Sequence, residues 1–405
     1  MSNTLKLGNG KWATGKDTVL GYNSENNNIK PLAFSFSRAS SGTVINKDGL
    51  IETVGSGEPR IDFKDNTKGA LLLEPSRTNS LVQSNQFDTT WLKSSGVTIT
   101  SEQTISPEGI NNGWKFEKTA ASYKSIGQNY TSSSETTFSI FAKKGTLSVI
   151  TLLANINGGT NLYQRFDLEN GIVSTGSGMS SSNIEEYGNG WYRCSSTFTN
   201  TDVQRLDYFV DFGENEAGFI YIYGAQAETN SSYATSYIPT SGSAVTRVAD
   251  SSSQTVPDGV IGQTEGTLFT EFEFNYSDSN TQVLLKANQS SDANSVGIEI
   301  LGTTIKGLVN SQSSNIANIQ GTIAIGTIKA AIAYKSNDIA FYVNGVQVGV
   351  ITSGSIAFAG VVDILTIGHF SLNGGQYFPA SRPFNQAQLY NTRLSNSELA
   401  ALTTI

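Results

Sequence analysis

The sequence is poor in the residues from which metal centres and catalytic triads are built. Its 405 residues include one cysteine, Cys194, and one histidine, His369. A single cysteine excludes an intrachain disulfide, and the two residues leave too little for a Cys/His zinc site or a Ser-His-Asp triad. We expect Cys194 to be a buried, inert thiol, because it alternates with polar neighbours in a predicted strand.

Charge and long apolar runs are also scarce. Charged residues make up 15% of the chain, and 34 acidic against 26 basic side chains give a net charge of −8. An acidic chain without a basic stripe is a poor candidate for nucleic acid, where phosphate neutralisation supplies much of the affinity. No run approaches the ~18 apolar residues of a membrane helix, and the first residues lack the apolar core of a secretory signal. We therefore predict no nucleic-acid partner, no membrane partner and synthesis in a cytoplasm.

The sequence is instead rich in glycine and in small polar residues, with 40 glycines. This composition favours many short strands joined by turns over helices. Short alternating runs between turn signals indicate an all-β protein, with an antiparallel sandwich in the middle of the chain. We predict three segments: a small irregular β segment over residues 1–79, and two sandwich domains over 80–250 and 251–405.

Two local patterns in the last segment are specific. The pair Asn344-Gly345 lies between two alternating runs, which predicts a hairpin with a type I′ turn. The string Ser395-Asn396-Ser397-Glu398 precedes an apolar run and predicts a capped terminal helix. We therefore expect one short helix on an otherwise β domain.

Three arginines stand among short apolar runs between residues 35 and 79. They are Arg38, Arg60 and Arg77, with acidic residues such as Glu74 nearby. Arginine can pair with a carboxylate through two parallel hydrogen bonds, which fixes geometry as well as charge. We interpret Arg38, Arg60, Glu74 and Arg77 as a structural brace that holds this segment together and binds no ligand.

The stretch from residue 35 to 79 contains the strings Phe36-Ser37-Arg38-Ala39-Ser40 and Leu71-Leu72-Leu73-Glu74-Pro75-Ser76-Arg77-Thr78-Asn79. The middle segment contains Gly188-Asn189-Gly190-Trp191-Tyr192-Arg193, Tyr223-Gly224-Ala225-Gln226-Ala227-Glu228 and Thr235-Ser236-Tyr237-Ile238-Pro239-Thr240. In these strings the chain resembles head-fibre and tail-fibre proteins of tailed bacteriophages. The resemblance implies that the middle segment is a carbohydrate-binding-module-like jelly roll. The region around Lys11-Trp12-Ala13-Thr14 also resembles proteins of crAss-like phages of gut Bacteroidota.

The last segment contains Tyr334, the predicted hairpin at Asn344-Gly345, Leu365-Thr366-Ile367-Gly368 and Leu389-Tyr390-Asn391-Thr392-Arg393. In these features it resembles concanavalin-A-like sandwiches of the laminin-G type. Together the two resemblances imply a virion structural protein, a homotrimer or another symmetric oligomer, other virion proteins as partners, and glycans of the host or mucosal surface as ligands.

On this basis we expect a non-enzymatic head fibre or capsid decoration protein. A tail fibre or receptor-binding protein is the nearest alternative, and a polysaccharide-degrading tailspike is a third. A bacterial adhesin is disfavoured by the missing signal. The tailspike hypothesis would need a β-helix repeat or a clear acid pair. Its best acids, Asp207, Asp211, Glu214 and Glu216, are better explained as a solvated strand end and loop.

Two further groups of residues are candidate sites. Sugars stack on aromatic faces and bond to amide or carboxylate side chains, so His369, Asn373, Gln376, Tyr377 and Phe378 around a glycine turn are the candidate glycan site. No cofactor is predicted. Calcium is an alternative by analogy with related sandwiches, with Asp278 and Asp292 as its candidate ligands. Trp191 and Tyr192 are predicted core residues, whereas Trp91 could be core or surface.

Overall fold

The computed structural model describes residues 4–25, 28–120, 123–277, 280–289, 293–358, 360–368, 370–372, 375–379 and 382–405. For residues 23–25, 28–30, 370–372, 375–379 and 382, only the backbone is described. Apart from one short helix, the regular secondary structure of the described chain is β-strand with almost exclusively antiparallel pairing, which confirms the predicted all-β class of sandwich-like domains. Within these ranges no helix is long and apolar enough to cross a membrane.

The strands are numbered in chain order. The first group is β1 Leu5–Gly8, β2 Thr14–Gly15, β3 Thr18–Glu25, β4 Asn28–Ser37, β5 Gly42–Ile45, β6 Ile51–Val54, β7 Arg60–Asp62 and β8 Ala70–Leu73. The second group is β9 Arg77–Asn79, β10 Leu92–Lys93, β11 Val97–Thr104, β12 Gly113–Lys118, β13 Ser125–Asn129, β14 Thr136–Lys144, β15 Val149–Ile156, β16 Leu162–Asp167, β17 Ile172–Ser177, β18 Ser181–Glu186, β19 Trp191–Phe198, β20 Val203–Val210, β21 Gly218–Thr229 and β22 Val245–Arg247.

The third group is β23 Ser251–Thr255, β24 Glu265–Phe274, β25 Gln282–Asn288, β26 Ser295–Leu301, β27 Thr304–Ser311, β28 Ser314–Thr322, β29 Gly326–Lys335, β30 Ile339–Val343, β31 Val346–Ile351, β32 Ile364–Ile367, β33 Phe370–Leu372, β34 Gly375–Pro379 and β35 Arg382–Tyr390. The helix α1 spans Asn396–Thr403.

The chain forms two compact units that do not follow the three predicted segments. Unit 1 comprises residues 1–47, 54–76 and 248–405, and unit 2 comprises residues 48–53 and 77–247. The N-terminal strands join unit 1 because β1 pairs with β35 and β4 pairs with β23. Most strands of the predicted segment 1–79 therefore belong to the same sheet as strands of the C-terminal region.

Unit 1 is built on one hydrogen-bonded path of antiparallel strands. The path runs β31, β30, β29, β24, β35, β1, β3, β4, β23, β32, β25, β26, β27, β28. Strands from its two ends face each other across the core: a Cβ atom added at Gly307 in β27 would stand only 2.7 Å from the ring of Phe341 in β30. Such close approach of two layers explains why this strand carries a glycine.

The predicted hairpin and helix of unit 1 are both confirmed. Strands β30 and β31 are antiparallel and flank Asn344 and Gly345, whose φ angles are 49° and 79°, as a type I′ turn requires. The hydroxyl of Ser395 accepts a hydrogen bond from the Glu398 amide, and the Glu398 carboxylate accepts one from the Ser395 amide. These reciprocal bonds satisfy amide groups that the first helical turn leaves without partners.

Unit 2 consists of two antiparallel sheets. The six-stranded sheet has the order β10, β13, β20, β15, β16, β17. The second sheet has the order β11, β12, β21, β14, β19, β18, and β9 pairs with both β21 and β22. Tyr208 in β20 reaches across the core, where its ring lies 6.1 Å from that of Phe138 and its hydroxyl donates to the Ser139 carbonyl at 3.3 Å. The inward side chains of both sheets therefore form one core.

The tryptophans and the cysteine of unit 2 are interior groups. Trp91 and Trp191 are buried, and their indole N–H groups donate to the carbonyls of Gln83 and Ile105. Tyr192 is half-buried at the edge of the same core. Cys194 is fully buried, and this burial raises the pKa of its thiol well above the usual value, which suits the predicted inert role.

Candidate functional site

Two arginines of unit 1 share one buried carboxylate. The Arg38 guanidinium donates to Oδ1 of Asp250 at 3.0 Å, and Arg60 donates to Oδ2 at 2.5 Å. All three side chains are excluded from solvent. Arg60 also donates to Oε2 of Glu74 at 2.5 Å. We call Arg38, Arg60, Glu74 and Asp250 the buried ion cluster.

Backbone groups complete the cluster. Arg38 donates to the carbonyls of Ser40, Gly55 and Glu58 at 2.7–3.0 Å. The amide of Glu74 donates to Asp250, and the amide of Asp250 donates to the Glu74 carbonyl. Burial alone lowers the pKa of Arg60, but the charges of Asp250 and Glu74 outweigh it and hold that pKa above its usual value. The cluster therefore ties three stretches of unit 1 together.

Asp62 lies beside this cluster and is held by backbone groups. Its carboxylate accepts hydrogen bonds from the amides of Ile45 at 3.1 Å and Lys64 at 2.8 Å. Burial raises the pKa of Asp62 to about 6, and the two amide bonds oppose that shift only in part. The folded state therefore disfavours the charged form of the Asp62 carboxyl group.

The fourth predicted brace residue, Arg77, is part of unit 2. It is buried in β9 and lies opposite Arg247 of β22 in the strand register. Arg247 donates to the hydroxyls of Thr235 and Ser236, and Glu228 accepts from the amide and hydroxyl of Thr235. The strings that resemble phage fibre proteins in unit 2 therefore meet in a buried polar network that fixes chain segments to one another.

The other sequence-derived candidates fall outside what is described. His369 and Asn373 lie outside the described residues, as do Asp278 and Asp292. For Gln376, Tyr377 and Phe378 the structure describes only the backbone, in strand β34. Among the described residues, no group of three or more His, Cys, Asp or Glu side chains is placed to hold a metal ion.

The acidic candidates of unit 2 lead to a surface that sequence reasoning missed. Asp207 points away from the core on β20, because its neighbours Leu206 and Tyr208 are core residues. In register with it lie Leu153 of β15, Tyr163 of β16 and Gly127 of β13. The next outward row holds Phe209, Thr151, Arg165 and Ser125. We call this side of the six-stranded sheet the outer face.

Four aromatic rings gather at one end of the outer face. The ring of Phe212 lies 5.0 Å from Phe209, 5.3 Å from Tyr163 and 4.9 Å from Tyr123. Phe209 and Tyr163 stand on the two strands that flank β15, so Phe212 bridges these strands, and Thr151 and Leu153 of β15 are buried. Tyr123 is the outermost ring and is 60% exposed.

Arginines on the outer face keep unused hydrogen-bond donors. Arg205 donates through Nε to both carboxylate oxygens of Asp207 at 2.9 Å, and its two terminal amino groups have no partner among the described residues. The Arg165 guanidinium donates no hydrogen bond within the described ranges, and it lies 4.0 Å from Oδ1 of Asp211. These groups can therefore donate to a ligand.

Asp207 serves to orient Arg205. The Asp207 side chain is 2% exposed against 36% for Arg205, and a Cβ atom at Gly127 would stand 2.2 Å from Oδ1 of Asp207. The glycine thus makes room for the carboxylate against the sheet. Burial raises the pKa of Asp207, while the hydrogen bond and charge of Arg205 lower it. Asp211 also has a pKa raised by burial.

A buried polar atom lies next to this surface. Thr151 is fully buried between Phe209 and Arg165 in the register, and its hydroxyl has no hydrogen-bond partner among the described residues. An unsatisfied buried hydroxyl is unfavourable. The sequence did contain one signal for this face, since residues 163–168 form a strongly alternating strand whose outward positions carry Tyr163 and Arg165.

Comparison with known proteins gives distant structural matches only. No protein-family model matches the sequence, and no curated protein matches it. The CBM40 module of the Ruminococcus gnavus IT-sialidase is 16% identical with a TM-score of 0.31, over 35% of this chain and 84% of that one. A SAP-like pentraxin from Limulus polyphemus is 14% identical with a TM-score of 0.27, over 35% and 70%. Botulinum neurotoxin type C, whose cell entry is described as dependent on two ganglioside molecules, is 9% identical with a TM-score of 0.32, over 38% and 39%.

Proposed function

We propose that this protein is a non-enzymatic glycan-binding component of a tailed-phage virion, of the head-fibre or capsid-decoration type. The observation that carries the glycan part is the outer face, where an exposed tyrosine stands on an aromatic cluster beside arginines with unused donors. Aromatic faces stack on the C–H faces of sugars, and guanidinium groups donate to their oxygens. The virion part rests on the sequence resemblance to phage fibre proteins.

The state of the carboxylates supports binding over hydrolysis. Glycoside hydrolysis needs an acid and a second carboxylate that are both free to act on the glycosidic bond. Asp207 is buried under Arg205, and Asp211 lies beside Arg165 and ends the strand with a positive φ of 48°. Each of these two acids therefore has an arginine of its own, which favours an orienting role.

The roles of the phage-like strings also fit a structural protein. Their arginines and acids form buried contacts inside unit 1 and inside unit 2, where they hold chain segments in place. By analogy with fibre proteins we propose a symmetric oligomer, of which a homotrimer is the first candidate.

A glycan array tests the binding part. The purified full-length chain is expected to bind a subset of glycans, and an array without binding would overturn the proposal. Each bound glycan is then incubated with the protein and assayed for new reducing ends. Release of reducing ends would replace the binding function with an enzymatic one.

Particle imaging tests the virion part. Antibodies raised against the chain are expected to label the heads of phage particles in electron micrographs. Labelling of tails would assign a tail fibre instead, and particles without label would overturn the virion proposal. Native mass measurement of the free protein is expected to give a multiple of the 43.2 kDa chain, and three copies would match the homotrimer.

A further inference from the structure

We infer that the outer face of the six-stranded sheet binds an extended stretch of a neutral glycan chain, with Tyr123 and Arg205 in separate sugar subsites. This assignment rests on the proposed glycan-binding function and specifies the surface, the ligand class and the ligand length. It is carried by the placement of the rings and donors on the strands of unit 2.

The aromatic end supports one exposed ring on a cluster of three others. Tyr123 meets Phe212 edge-on, with an interplanar angle of 80°, and Phe212 is in turn supported by Phe209 and Tyr163. The tyrosine is therefore backed on one side while most of its surface faces solvent. A ring that is already fixed loses little conformational freedom when a sugar stacks on it.

The polar end is fixed in a similar way. Arg205 is anchored through Nε by Asp207, which itself is held against Gly127. Because the guanidinium is planar, two N–H groups at its far end, one on each terminal nitrogen, are directed away from the Nε–H that binds Asp207. They therefore present a preoriented pair of donors to the oxygens of a bound sugar.

The spacing of the two ends requires more than one sugar. Arg205 and Phe209 are four residues apart on β20, which corresponds to roughly 13 Å along an extended strand. Tyr123 lies beyond Phe209, because Ser125 is opposite Phe209 in the antiparallel register and Tyr123 precedes Ser125 by two residues. A single pyranose cannot span this distance, so one ligand that uses both ends must be an oligosaccharide or an internal stretch of a polysaccharide.

The charges of the face favour a neutral chain. Arg205 is paired with Asp207, Arg165 lies beside Asp211, and the loop that carries Phe212 adds the exposed Glu214 and Glu216. The surface thus has no excess of positive charge to attract an acidic sugar. Hydroxyl groups, which both donate and accept hydrogen bonds, suit such a balanced set.

Calorimetry with a glycan that the wild-type chain binds tests the assignment. Affinity is expected to rise from the monosaccharide to fragments of several sugars and then to level off. With the longer fragment, Tyr123→Ala and Arg205→Lys are each expected to weaken binding roughly tenfold, because one loses the stacking face and the other loses the paired donors. Arg205→Lys keeps the charge beside Asp207, so the fold is retained.

Tyr22→Ala is the matched control, since Tyr22 is an exposed tyrosine of unit 1. Its affinity is expected to equal that of the wild type. If Tyr123→Ala and Arg205→Lys both bind the glycan as tightly as the wild type does, the assignment of this surface is wrong, and the proposed function still stands. Binding confined to acidic glycans would contradict the neutral ligand class. Equal affinity for the monosaccharide and the longer fragment would contradict the inferred ligand length. A wild-type chain that binds no glycan would overturn both proposals.

Discussion

Arg38 and Arg60 lie in the interior of unit 1 and direct their donors to Asp250, Glu74 and backbone carbonyls. Arg165 and Arg205 lie on the outer face of a sheet in unit 2 and keep donors without protein partners among the described residues. The residue type is the same in both regions. What differs is burial and the number of acceptors that the fold supplies, and these decide whether an arginine holds the structure or can hold a ligand.

The two arrangements also differ in how strongly a substitution should change the stability of the fold. A buried ion pair gives little net stability over apolar packing, but removal of one partner leaves an uncompensated charge in the interior. A partly exposed arginine keeps its hydration, so changes there have small effects on folding. Substitutions in the buried ion cluster should therefore change the stability of the fold, and substitutions on the outer face should change ligand binding.

The largest effect is expected for Asp250→Asn. The substitution preserves side-chain volume but removes the charge that Arg38 and Arg60 share, so the free energy of unfolding of unit 1 should fall by about 3–5 kcal/mol. Hydrogen exchange, followed peptide by peptide, distinguishes unit 1 from unit 2. Faster exchange is expected in peptides of unit 1.

Asp65→Asn is the matched control for that variant. Asp65 contacts Lys64 at 3.0 Å, and its side chain is 84% exposed. The free energies of unfolding obtained from the exchange rates of the control should differ from those of the wild type by no more than about 0.5 kcal/mol. If the two variants behaved alike, the buried cluster would not be a stabilising tie, and the comparison with the outer face would lose its basis.

A pH-dependent effect of intermediate size is expected at Asp62. Its pKa rises from 3.8 to about 6 on folding, so between those values the folded state binds the proton more tightly than the unfolded state. The unfolding free energy contributed by this group therefore decreases as the pH rises through that window, by up to about 3 kcal/mol. Asp62→Asn cannot titrate and should lack this component.

The measurement is the unfolding free energy of both proteins at pH 4, 5, 6 and 7. The wild-type value minus the variant value should be larger at pH 4 than at pH 7, because the wild-type carboxyl is protonated in the folded state only at the lower pH. A constant difference over the series would show that Asp62 does not titrate in this range.

A smaller effect is expected when the aromatic cluster loses its central ring. Phe212 is half-buried and contacts the rings of Phe209 and Tyr163 on the two strands that flank β15. Phe212→Ala should lower the unfolding free energy of unit 2 by about 2 kcal/mol, less than a fully buried Phe→Ala change. Hydrogen exchange in the β15 peptide should rise, whereas Phe212→Leu, which keeps an apolar cover, should stay close to wild type.

Local features were predictable from sequence and non-local ones were not. The hairpin at Asn344-Gly345 and the capped helix at Ser395 depend on neighbouring residues and were placed correctly. The burial of Arg38 and Arg60 beside Asp250 depends on a contact over about two hundred residues, and nothing in the local pattern marks Asp250 as the shared partner. The grouping of the N-terminal strands with residues 248–405 has the same cause.

The outer face illustrates the same limit for a site. Sequence patterns favoured the aromatic residues around Tyr377, which stand together along the chain. The rings of Tyr123, Tyr163 and Phe212 come from three separate stretches and meet only when strands β16 and β20 flank β15. Alternation identified the outward positions of β16, but the neighbours across the sheet follow from register alone.

The smallest effect on folding is expected for Tyr123→Ala. Its ring is 60% exposed and contacts the protein edge-on at Phe212, so the unfolding free energy should change by no more than about 0.5 kcal/mol. Its effect on glycan affinity should nevertheless exceed that of Asp250→Asn, measured at a temperature where both proteins are folded. The opposite ranking, with affinity lost in Asp250→Asn and kept in Tyr123→Ala, would move the binding site into unit 1 and reverse the roles assigned here to the buried and exposed arginines.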